Sequence, residues 1–214
     1  LVDKRRIRRD RADIFCTIAE GVKGKRAKEW GLVDDVLPRS SFDARLDERL
    51  RALLGAPSVR PAWRGIRLDP VVAERTATSL AYRHVTVDLD PAAHTARLLV
   101  RGPSADEPTE PAGMLERGSD LWALRAFREL DDALLHLRID FPLVNVVTLR
   151  TEGNGDDVLR IDDALHRARE HGFVKEVLLQ MARTLRRLDL TAKSFFAMIE
   201  PGSCFAGSLF ELAL

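Results

Sequence analysis

The sequence lacks any apolar run of the length a membrane span needs, roughly 20 residues, so a spanning helix is not expected. It also lacks an excess of charge. Its 34 Lys and Arg stand against 33 Asp and Glu, a net of +1, which gives no general attraction to a polyanion. Cysteine is scarce: Cys16 and Cys204 lie far apart with no CxxC neighbour. That removes a disulfide framework or cysteine zinc site and suits two reduced thiols. Nucleotide fingerprints are missing too, because Gly153-Asn154-Gly155 fits neither the Walker spacing nor a GxGxxG run. The histidines, His84, His94, His136, His166 and His171, show no metal-ligand spacing with carboxylates or cysteines. No metal is expected. The N-terminal LVDKRRIRRDRAD has neither an initiator Met nor an apolar signal core, and the C-terminal FELAL stops in an uncapped apolar stretch. Both ends read as the interior of a longer chain.

What is present suits a globular protein. The 214 residues are 45% hydrophobic and 31% charged, close to the average of soluble domains and enough for one large domain or parts of two. Residues 3–18 read as one amphipathic helix carrying Ile7, Ala12, Ile14, Phe15 and Ile18, with Cys16 on the apolar face as a buried thiol. A short helix over Lys25 to Trp30 should stop at Gly31, which accepts a positive φ. Ser41 can cap the next helix, with Phe42, Leu46, Leu50 and Leu53/Leu54 along one side. Then Pro57, Pro61, Gly65 and Pro70 dissolve the pattern, which predicts a linker over 56–79.

From Tyr82 the texture changes. Tyr82 to Leu89 and Thr95 to Val100 alternate as two strands of a hairpin about Asp90-Pro91. Residues 102–118 read as a loop, and Asp120 as the cap of a helix running to Leu137. Val144 to Arg150 is a strand, Thr151 to Asp156 a polar loop, Phe173 to Leu188 a helix, and Ser194 to Ile199 another strand. A last helix begins near Gly207. Strands alternating with helices predict an α/β fold.

Two blocks carry a resemblance. Ala27 followed by Gly31-Leu32-Val33-Asp34 resembles the exit from a crotonase core. The run Phe127 to Leu134, the strand Val146-Val147-Thr148-Leu149, and Pro201-Gly202-Ser203-Cys204-Phe205-Ala206-Gly207-Ser208-Leu209-Phe210-Glu211-Leu212-Ala213 resemble the opening of a second one. The chain is similar to members of the crotonase (enoyl-CoA hydratase/isomerase) superfamily with two consecutive domains. The resemblance implies a ClpP/crotonase-like α/β fold, with 1–55 ending a first domain and 80–214 beginning a second.

For function it implies a ring-cleaving lyase acting on a CoA thioester, 2,3-epoxy-2,3-dihydrobenzoyl-CoA, in the cytoplasm. An enoyl-CoA hydratase/isomerase-type enzyme with tandem domains is the nearer alternative. A non-catalytic module binding nucleic acid or a partner through Lys4 to Arg11 is the other. Coenzyme A would come with the substrate, so no separate cofactor is implied. No nucleic acid or membrane partner is expected, and a homo-oligomer is. Sites of this family polarise the thioester carbonyl with two backbone N–H groups. By position Gly207, Ser208 and Gly153 become candidates for that oxyanion hole and Glu211 for the catalytic glutamate, with a structural role for Glu211 as the alternative. Here Gly207-Ser208-Leu209 stands for the family's three glycines, and Glu152-Gly153-Asn154-Gly155-Asp156-Asp157 replaces its first oxyanion loop. The second domain thus reads as degenerate, with the principal catalytic residues expected upstream. Cys204 reads as a small packing residue. The cluster Lys4, Arg5, Arg6, Arg8, Arg9 and Arg11 is interleaved with Asp3, Asp10 and Asp13 and reads as a solvated face, with CoA phosphates as the other option.

Overall fold

The computed structural model describes residues 1–55 and 65–214, which divide into two compact units, Leu1–Arg60 and Pro61–Leu214. The first part of the expected linker, 56–64, lies outside the described residues.

The first unit is helical: α1 (Val2–Arg5), α2 (Arg9–Thr17), α3 (Gly24–Glu29), a 3-10 turn over Arg39–Ser41, and α4 (Phe42–Gly55). The single helix expected over 3–18 is broken in two. Arg6 takes a left-handed conformation at φ 54, and Ile7 beyond it is buried. Gly31, at φ +77, lies so close that a Cβ there would stand 3.7 Å from Ile7 Cγ1. Arg5 bonds the Gly31 carbonyl and Asp34. Tertiary contacts with the Gly31–Asp34 turn therefore override helical continuity. Within the basic cluster Arg8 pairs with Asp10, and Arg11 lies over the Trp30 ring at 5.7 Å.

Cys16 is exposed rather than buried, because α2 buries only Ala12. Ser41 does not cap α4 by its side chain; its hydroxyl turns back to the Pro38 carbonyl. The apolar side of α4 (Phe42, Leu46, Leu50, Leu53 and Leu54) is exposed.

The second unit is a sheet covered by helices. Its strands are β1 (Glu74–Arg75), β2 (Ser79–Ala81), β3 (Val85–Asp90), β4 (Thr95–Arg101), β5 (Val146–Glu152) and β6 (Ser194–Ala197). They lie in the order β1-β2-β3-β4-β5-β6. Pairing is antiparallel as far as β4 and parallel from β4 to β6. Glu74, Arg75 and Ser79, expected to end the linker, already belong to this sheet. In β3 and β4 the alternate residues Val85, Val87, Ala96, Leu98 and Val100 are buried, as a pleated strand with one covered face requires.

The helices are α5 (Pro111–Arg117), α6 (Trp122–Ile139), α7 (Gly155–Arg167), α8 (Gly172–Asp189) and α9 (Gly207–Phe210). Helix α6 sets Leu124, Phe127, Leu130, Leu134 and Leu137 into the core. Its Trp122 Nε1 donates to the Arg101 carbonyl at 2.9 Å, tying the helix start to the end of β4. Asp120 is not its side-chain cap; it faces Arg83 instead. Helix α5 occupies part of the expected 102–118 loop, and α7 is an element that the sequence pattern did not disclose.

Candidate functional site

In open α/β sheets ligands bind outside the carboxyl ends of parallel strands, so the ends of β4, β5 and β6 are the place to look. These ends converge closely. Gly102 N–H donates to the Glu152 carbonyl at 2.8 Å, and Gly153 N–H to the Gly202 carbonyl at 3.2 Å. Cys204 N–H donates to Thr151 Oγ1 at 2.9 Å. The Cys204 thiol is buried among them: a Cβ on Gly102 would stand 3.1 Å from its sulfur, and one on Gly153 3.4 Å. Burial pushes this thiol up from its ordinary value, which disfavours the thiolate a nucleophile needs. Cys204 packs the strand ends together.

Gly153 adopts φ +140, in a region that favours glycine. The next residue, Asn154, caps α7 by accepting from Asp156 N–H at 2.9 Å. Across the loop after β6, Gly207 at φ +47 opens α9. Ser208 N–H donates to Asp162 Oδ2 of α7 at 2.5 Å. Burial is the larger influence on Asp162 and pushes its carboxyl up, while the Ser208 N–H draws it back down. Ser208 Oγ is buried with no partner among the described residues.

Glu211 follows α9 and is exposed. It lines a cavity of about 820 Å³ together with Asn145, Arg186, Asp189, Lys193 and Leu212. Gly153, Gly207 and Ser208 are not among that cavity's walls. This cavity therefore contains the candidate glutamate without the candidate donors. Charge stabilisation needs donors aimed at one point, and the candidate donors lie at the strand ends.

Two residues that sequence reasoning did not single out shape this edge. One is Asp162. The other is Arg160, whose guanidinium bonds the carbonyls of Ser104, Ala105 and Glu107 and the Asp157 carboxylate. A signal existed: Val158, Ile161, Ala164 and Leu165 recur at helical spacing and are buried, so Asp162 sits beside an apolar stripe. Among the described residues no group of three His, Cys, Asp or Glu side chains could hold a metal, and no helix is long and apolar enough to cross a membrane.

The second unit thus defines an α/β protein with a mixed sheet whose parallel strand ends are closed by glycines, a thiol and a carboxylate. No family model matches the chain. Over its whole length the chain is similar to the benzoyl-CoA-dihydrodiol lyase of Aromatoleum evansii, at 45% identity across 217 aligned positions. It spans 39% of that protein's length.

Proposed function

We propose that this chain is part of a two-domain, crotonase-like lyase that cleaves the ring of 2,3-epoxy-2,3-dihydrobenzoyl-CoA with two waters, giving 3,4-didehydroadipyl-CoA semialdehyde and formate in aerobic benzoate degradation. The observation that carries this reading is the 45% identity along the whole chain to a protein named benzoyl-CoA-dihydrodiol lyase. In this reading residues 1–55 complete a first crotonase-like domain and 80–214 open a second. The reacting groups, an oxyanion hole and water-positioning carboxylates, belong to the first domain, upstream of Leu1. Charge develops on the thioester oxygen as the ring opens, and two preorganised N–H donors there lower the barrier. Coenzyme A enters as part of the substrate, with no further cofactor, and the enzyme works as a cytoplasmic homo-oligomer. The second unit serves as scaffold or pocket wall: Cys204 fills its strand ends, and Glu211 lines a cavity whose walls do not include the candidate donors.

The full-length enzyme should release formate from the epoxide of benzoyl-CoA, and the 214-residue chain alone should not. Absence of formate from the full-length enzyme, or turnover by the chain alone, would contradict the assignment. In the same assay Glu211→Gln should keep turnover within about tenfold, or about 1.4 kcal/mol in barrier. A general base would lose about a hundredfold or more.

A further inference from the structure

We propose that Asp162 closes the thioester-oxygen position of the second unit from within, its carboxylate taking the Ser208 N–H that a crotonase-type site would present to substrate. This deepens the scaffold reading of that unit and rests on it. Ser208 N–H has one hydrogen, and it points to Asp162 Oδ2 at 2.5 Å. The other candidate donor, Gly153 N–H, is engaged by the Gly202 carbonyl.

Gly207 explains how the carboxylate gets so close. A Cβ at that position would overlap Asp162 Oδ2 and stand 3.2 Å from its Cγ, at a φ of +47. Any other residue would push Asp162 away. The glycine therefore makes room for a side chain of this chain, not for an acyl group. Asp162 itself is carried on α7, a 13-residue helix capped by Asn154 and anchored by four buried apolar residues, so its position is fixed by packing. Hydrogen bonds to an ionised acceptor are roughly twice as strong as neutral ones. A neutral thioester carbonyl must displace a tethered carboxylate, which acts at high effective concentration. The field also has the wrong sign: an oxyanion hole needs positive potential where negative charge develops, and Asp162 places a negative group there.

The test follows the Ser208 amide by residue-resolved hydrogen exchange in the full-length enzyme, with β5 amides as the internal control for folding. Asp162→Ala should speed Ser208 exchange at least about tenfold and leave β5 unchanged, because the best acceptor has gone. Asp162→Asn keeps the size and a neutral acceptor, so it preserves folding if the alanine variant does not fold, and should give a smaller speeding of about threefold. Saturating benzoyl-CoA should leave Ser208 exchange in the wild type unaltered. Unchanged exchange in a folded Asp162 variant overturns the proposal, as does protection of Ser208 by benzoyl-CoA in the wild type. Formate release is read separately, so a failure of the lyase assignment leaves this result interpretable.

Discussion

His84 shows how a residue of ordinary type acquires a pH dependence from its place in the fold. It precedes β3, and its backbone N–H donates to Glu129 at 2.7 Å. Its Nε2 is buried without a partner among the described residues. Burial pushes the imidazole down from its ordinary value; Glu129 opposes this, and Arg83, Arg125 and Arg101 reinforce it. Folded His84 therefore holds its proton less well than the unfolded chain, whose histidine titrates near about 6.5. Below that pH the unfolded state binds more protons, so stability falls as pH drops through about 6.5 and levels off below the folded value. Melting temperature measured from pH 8 to 5.5 should fall more steeply for the wild type than for His84→Gln. Parallel curves would remove His84 from the explanation. The candidate site was partly legible at this scale: Gly153, Gly207, Ser208 and Glu211 were named as candidates by motif position. Asp162 was not, because its meaning comes from a residue on another helix.

At the scale of elements, α6 illustrates what periodicity reveals and what it hides. Its apolar stripe was plain in the sequence, yet Glu129, on the same helix, is fully buried. It accepts from His84 N–H and from Arg125 Nε, both at 2.7 Å, and so joins helix to hairpin. Truncating one partner of a buried pair strands the other. Glu129→Ala should cost about 3–5 kcal/mol in urea unfolding, whereas Glu48→Ala on exposed α4 should stay within about 1 kcal/mol; equal losses would refute the distinction. Helix α8 and strands β3 and β4 were legible for the same reason as α6, since one buried face imposes its period, whereas β5 was legible from its β-branched residues. Helices α5 and α7 were hidden because each begins in a stretch rich in Gly, Pro, Asp or Glu that reads as loop. The break between α1 and α2 was invisible, because Ile7 prefers the Gly31 turn to the helix and nothing local says so.

For the whole molecule, the boundary at Arg60/Pro61 falls within the linker expected over 56–79, but the sheet begins at Glu74. Limited trypsinolysis of the full-length enzyme should therefore cut first at Arg67, which is exposed and precedes the sheet. First cuts inside β3 to β6 would argue against the division. The sequence by itself determined the α/β class, the hairpin, the strand–helix alternation and the resemblance, because these rest on local period, turn residues and motifs contiguous in the chain. Only the tertiary structure decided where those motifs point. Gly207 admits the Asp162 carboxylate, which takes the N–H of Ser208 46 residues away, Cys204 fills the ends of strands that start far upstream, and Cys16 faces outward. The physical reason is common to all three: the occupant of a position is set by which distant side chain packs against it, and that depends on contacts no local pattern records.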